Sequence, residues 1–134
     1  GDSVYDFSFS GVKSAVLNYI NGCKMKQAEY NRADIAASFQ KAVTDVLVDH
    51  AMAGVENYGL KKLAIAGGVA SNSALRAAMR KACEERGIEF YYPSPILCTD
   101  NAAMIGAAAF YDYQNGIRSG WDLNAVPNLK LGER

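Results

Sequence analysis

The sequence predicts an α/β, helix-rich fold with a small parallel sheet, and three observations carry that reading. Apolar residues recur at three- and four-residue spacing through much of the chain. Two short β-prone runs, 62–66 and 89–92, interrupt that helical period. A glycine turn leads from the first run into the helix that separates the two, and a strand–helix–strand unit of this kind predicts a parallel pair joined by a right-handed crossover. Two strands make a meagre sheet, so either further strands belong with it or the protein is mainly helical.

In order along the chain, the opening run Tyr5 to Gly11 looks cut at its start and leads into a short helix, Val12 to Tyr19, that Asn21-Gly22 closes as a turn signal. From Asn31 to about Asn57, Ile35, Phe39, Val43, Val46, His50 and Ala53 form an apolar stripe expected to face the core, and Gly59 marks the end. Lys62 to Ala66 is too short for a helix and runs into Gly67-Gly68. Ala74, Leu75, Ala78, Met79, Ala82 and Cys83 then mark a helix ending near Gly87. A strand over Glu89–Tyr92 precedes Pro93-Ser94-Pro95, which stops regular structure. The alanine-rich run from Ala102 to Tyr113 is a helix whose Gly106 would permit close backbone approach, and Asn115-Gly116 ends it. Residues 119–134 have no period and read as an irregular tail.

Composition narrows the function. The 134 residues carry 14 Lys+Arg against 14 Asp+Glu, so the net charge is zero and a dedicated polyanion-binding face is not expected. Half the residues are apolar, which suits one packed domain and excludes charged disorder. No stretch reaches the roughly 18 apolar residues of a membrane span, and there is no signal-peptide pattern, so the chain reads as soluble and cytoplasmic with no membrane partner. Cys23, Cys83 and Cys98 are odd in number and widely spaced, with no Cys-x-x-Cys pair, and suggest neither disulfides nor a thiolate zinc site.

Three segments could carry chemistry. In Ala66-Gly67-Gly68-Val69-Ala70-Ser71-Asn72, glycines allow close approach of a ligand and the first amides of a helix attract anions, so a phosphate or nucleotide fits. A tight βα turn with Ser71 or Asn72 as helix cap explains the same residues. The pattern is neither the dinucleotide nor the P-loop fingerprint. Thr99-Asp100-Asn101 falls at the same carboxyl edge of the sheet, where Asp100 could ligate a cation or cap the next helix. Phe7 to Lys13 could present hydroxyls and amides to a ligand, or bury its two Phe and cap a helix with Ser, leaving Lys13 solvated. His50, the only histidine, reads as a core residue, Cys98 has no base beside it, and Arg76, Arg80, Lys81 and Arg86 read as a solvated helix face.

Taken together, Asp6-Phe-Ser-Phe-Ser-Gly-Val-Lys13, Ala66-Gly-Gly-Val-Ala-Ser-Asn-Ser-Ala-Leu-Arg76 and Cys98-Thr-Asp-Asn-Ala-Ala-Met-Ile105 resemble the TsaD/Gcp family of tRNA adenosine threonylcarbamoyltransferases, formerly called O-sialoglycoprotein endopeptidases. The resemblance thins after about Arg118 and covers only the family's C-terminal part. It implies a partial lobe of the actin/Hsp70-like ATPase (ASKHA) fold, with residues 1–134 as the C-terminal part of the nucleotide- and metal-binding lobe. It implies nucleotide contacts at Gly67, Gly68 and Asn72, within a Gly-Gly-Val-x-x-Asn motif, and a divalent metal ion, iron or zinc, on Asp100. The family's two metal-binding histidines, in a His-x-x-x-His motif, and its Ser-Gly-Gly-His segment are absent here.

The implied activity is transfer of a threonylcarbamoyl group from threonylcarbamoyl-AMP to the adenosine beside the tRNA anticodon. Its implied partners are tRNA and other threonylcarbamoylation proteins. The chain alone is expected to be an inactive fragment prone to self-association. A non-catalytic nucleotide-binding or interaction module is the alternative. A peptidase is not supported, since there is no His-Glu-x-x-His and the only His, His50, lies in the apolar stripe of the long helix.

Overall fold

The computed structural model describes residues 5–130. Helix α1 spans Val12–Met25, α2 Arg32–Asn57, α3 Ser73–Glu84 and α4 Ala102–Gln114, with strands β1 at Lys62–Ala64 and β2 at Glu89–Tyr91. Two single 3₁₀ turns, Gly68–Ser71 and Pro95–Leu97, follow the strands. The strands pair in parallel, Lys62 opposite Glu89, Leu63 opposite Phe90 and Ala64 opposite Tyr91, as the strand–helix–strand pattern predicts. Both are shorter than their β-prone runs. One backbone bond beyond the ladder, from the Ile65 amide to the Tyr91 carbonyl, extends the pairing before the glycine turn takes over.

The chain divides into two compact units, one ending at Thr99 and one beginning at Asp100. In the first, the core gathers where α3 lies against the C-terminal half of α2: Met52, Val55, Leu75, Met79, Ala82, Cys83 and Ile88 are buried together. Leu47, Val48, Ala51, Leu63, Ile65 and Phe90 pack around them. The second contains α4 and the segment after it, in which no helix or strand forms through residue 130.

Several local readings change. Asn21-Gly22 does not end α1, because Gly22 stays helical; the stop is Gln27, at φ 50°, with the Ala28 amide bonded to the Cys23 carbonyl. A glycine inside a helix costs only about 1 kcal/mol, which neighbouring turns absorb. On α2 the core face is not the stripe through Phe39 and Val46, which are 44% and 38% exposed, but one through Thr44, Met52 and Val55. Apolar residues cover a wide arc of α2, so periodicity alone leaves its buried side undetermined. Phe7 and Phe9 stack on one another and stay partly exposed rather than buried. Gly106 meets no neighbour within 4 Å among the described residues. Each Gly that stops a helix, at 59, 87 and 116, sits at positive φ, where other residues are strained.

Candidate functional site

The glycine turn is a built loop. Gly67 adopts φ 84°, ψ 173°, a backbone open only to glycine, and the chain then tightens into the 3₁₀ turn through the Ala70 amide on the Gly67 carbonyl and the Asn72 amide on the Val69 carbonyl. The Ser71 hydroxyl donates to the Gly68 carbonyl at 2.7 Å. Gly68 has ordinary backbone angles, and a Cβ there would meet only the Thr99 methyl at 3.9 Å. The fold therefore requires glycine at 67 but not at 68.

Of the two candidate caps, Asn72 is the one used: its Oδ1 accepts from the Leu75 amide at 3.0 Å and starts α3. Its Nδ2 donates to Gln40 Oε1 at 3.2 Å, which ties the turn to α2. One amide hydrogen and part of the Oδ1 lone-pair capacity stay available to a ligand.

Beside the turn lies a cleft of about 1070 Å³. Val69, Asn72 and Leu75 contribute one wall, while Leu17 and Ile20 of α1 and Phe39 of α2 contribute others. Among the described residues, Lys13, Lys24 and Arg32 are the charged ones that line it. Lys13, read from sequence as a solvated helix residue, thus reaches the cleft. An apolar volume edged by cations is the composition expected where an aromatic base and an anion are held together.

In the second unit, the expected alternative role of Asp100 as a helix cap falls to its neighbour: Asn101 is the cap of α4, its Oδ1 accepting from the Met104 amide at 3.1 Å. Asp100 is exposed one residue earlier. No group of three or more His, Cys, Asp or Glu that could hold a metal occurs among the described residues. A lone carboxylate is not a divalent-metal site, so these residues by themselves do not fit the implied ion.

His50 packs its ring 5.0 Å from that of Phe7, and its Nδ1 is buried without a hydrogen-bond partner among the described residues. Cys98 is 3% exposed and lies 3.5 Å from the Ser94 carbonyl. The groups with displaced titration do not line the cleft: burial pushes the Cys83 thiol up, a hydrogen bond to Glu56 raises Arg86, and one to Glu89 raises Tyr91.

Sequence reasoning missed Lys24 and Arg32 of the cleft and, at the turn, Gln40 and Arg76. Gln40 lies 32 residues from Asn72 and carries no local signal. Arg76, assigned to a solvated face, is half-buried and reaches back over the turn. The lean of helical side chains toward the helix N-terminus could have indicated this, because a residue four past the cap covers the loop before it.

A sequence model of the family described as TsaD, tRNA N6-adenosine threonylcarbamoyltransferase, matches residues 1–107. Among curated proteins, the tRNA N6-adenosine threonylcarbamoyltransferase of Clostridium beijerinckii is 62% identical over 133 residues, 99% of this chain and 39% of the relative's length. Its namesake in Clostridium novyi is 61% identical over 129 residues, 96% of this chain and 38% of that protein. The chain thus spans about two fifths of the length of these relatives.

Proposed function

This chain belongs to the TsaD family, and on that premise we propose that it forms the C-terminal, nucleotide-binding part of an enzyme that transfers the threonylcarbamoyl group of threonylcarbamoyl-AMP to the adenosine beside a tRNA anticodon. The observation that carries this reading is the cleft against the glycine turn. Its apolar walls suit a purine, and Lys13, Lys24 and Arg32 suit a phosphate. The lobe so formed would be the actin/Hsp70-like one, and the protein cytoplasmic. No described helix is long and apolar enough to cross a membrane.

In this proposal the chain's own residues bind and orient. Gly68 lets the backbone approach the adenylate, since a side chain there would project from a turn the fold leaves open. Asn72, held at one end by its cap bond and at the other by Gln40, presents its remaining amide hydrogen in a fixed direction. The apolar walls offer packing surface to the base, and the cations attract the anionic substrate. Asp100 is proposed as one carboxylate donor toward an iron or zinc ion; with a single donor in this chain, no step is derived through the metal. The 134-residue chain is accordingly proposed to bind adenylate without turnover, to associate with itself through exposed apolar surface, and to meet tRNA and other threonylcarbamoylation proteins as part of a complete enzyme.

Calorimetric titration with AMP tests the site. Gly68→Ala and Asn72→Ser both preserve the fold's requirements, the first by its ordinary backbone and the second by retaining a capping oxygen. Both are expected to weaken AMP binding by about tenfold, within the roughly 1–3 kcal/mol cost of a lost or blocked polar contact, at nearly unchanged melting temperature. Wild-type affinity in both variants would refute the site.

A further inference from the structure

We propose that Arg76 is the positioning residue of the glycine turn, clasping it to the segment that follows β2. Its Nε donates to the Ala70 carbonyl inside the 3₁₀ turn. Its Nη2 donates to the Pro93 carbonyl at 2.9 Å and lies 3.2 Å from Cys98 Sγ. The guanidinium carbon stands 4.6 Å from the centroid of the Tyr92 ring. One planar fork therefore joins the turn, the β2 exit and the loop containing Cys98.

Two further features separate this from an ordinary surface arginine. Arg76 is half-buried, Ala70 and Cys98 are almost wholly buried, and Arg76 forms no ion pair among the described residues. Among the described residues its charge is met by neutral carbonyls, a thiol and an aromatic face, which fix direction without neutralising it. Nor can a lysine substitute, because a single ammonium cannot reproduce a coplanar Nε and Nη2 pair aimed at carbonyls from two segments. The neighbouring Arg80 bonds Tyr92 but not the turn among the described residues and is exposed, so it serves as a control.

The turn's internal bonds are two main-chain hydrogen bonds and the Ser71 hydroxyl, all local. Arg76 and the Asn72–Gln40 bond tie it to distant parts of the chain. Loss of the clasp should thus free the turn while leaving the α2–α3 core intact. The effect on ligand affinity rests on the adenylate-binding reading above; the effect on the turn does not.

The test uses the 134-residue chain as wild type, Arg76→Lys and Arg80→Lys, with AMP as probe and two readouts: AMP affinity, and amide exchange followed by NMR. In Arg76→Lys, exchange at the Ala70 and Asn72 amides is expected to rise at least about tenfold, with the Val55 amide in α2 unchanged, and AMP affinity to fall about tenfold. Arg80→Lys should match wild type in both. Unchanged exchange at Ala70 and Asn72 in Arg76→Lys overturns the clasp. Faster exchange with undiminished AMP affinity overturns its positioning role. If wild type binds no AMP, the adenylate reading fails separately, and the exchange result alone decides the clasp. Should Arg76→Lys fail to fold, Arg76→Gln, which keeps a planar donor toward Ala70 but loses the Pro93 bond, takes its place under the same criteria.

Discussion

Helices α3 and α4 begin identically and end in different surroundings. Each follows a 3₁₀ turn and starts at an Asn whose side chain accepts from the amide three residues on, Leu75 in one and Met104 in the other. Yet α3 buries Leu75, Met79, Ala82 and Cys83, whereas α4 buries nothing and leaves Met104 and Ile105 53% and 73% exposed. The difference lies in patterning. In α3 the apolar residues occupy one face and Arg80, Lys81 and Glu84 the other; in α4 nearly every position from Ala102 to Phe110 is apolar or glycine. A one-sided helix is satisfied by one neighbour, and an apolar-all-round helix asks for more than one. A cap decides where a helix starts; the distribution of apolar area decides how much partner it needs.

The largest expected break in the comparison is at the two methionines. Met79→Ala should cost about 2–5 kcal/mol in urea unfolding, as truncation of a fully buried side chain does. Met104→Ala should stay within about 0.5 kcal/mol. Equal effects would mean that α4 is packed as firmly as α3.

Next come the caps. Asn72→Ala and Asn101→Ala each remove one side-chain bond to a helix amide, worth about 1 kcal/mol. Loss at Asn72 should lower the melting temperature of the core, while loss at Asn101 should reduce helical circular dichroism with little shift of that transition. A core shift of the same size from Asn101→Ala would erase the distinction between the helices.

A smaller effect follows pH. Burial within α3 raises the Cys83 thiol above its ordinary 9.0. The unfolded chain therefore loses this proton first. The contribution of the protonated thiol is complete below pH 9.0 and is lost as pH rises toward the folded value. Urea midpoints of wild type and Cys83→Ala should converge as pH rises beyond 9.0. A constant gap would show that Cys83 ionises as readily folded as unfolded.

The smallest expected change is Asp100→Asn, within about 0.5 kcal/mol, because Asn101 and not Asp100 caps α4. A loss near 1 kcal/mol by thermal denaturation would return the cap to Asp100.

Much of this was legible along the chain because it depends on short range. The glycines at 59, 67, 87 and 116 and the parallel pairing of 62–64 with 89–91 follow from backbone sterics and the period of apolar residues, whereas the choice of Asn72 over Ser71 and of Asn101 over Asp100 as helix caps does not. The segments Asp6–Lys13, Ala66–Arg76 and Cys98–Ile105, taken in that order, pointed to the family now matched over residues 1–107. What resisted sequence reading had the opposite character. The buried side of α2, the Gln40 bond to Asn72, the half-burial of Arg76 and the cleft edged by Lys13, Lys24 and Arg32 each depend on residues far apart in the chain. The sequence by itself determined that 62–64 and 89–91 pair in parallel across a glycine turn and that glycines 59, 87 and 116 stop helices, since those choices are made by local dihedrals and hydrogen bonds. Only the tertiary structure decided which apolar arc of α2 meets α3 and where Arg76 sends its donors, since a side chain's partners are set by what packing brings within a few ångströms and not by its neighbours in sequence.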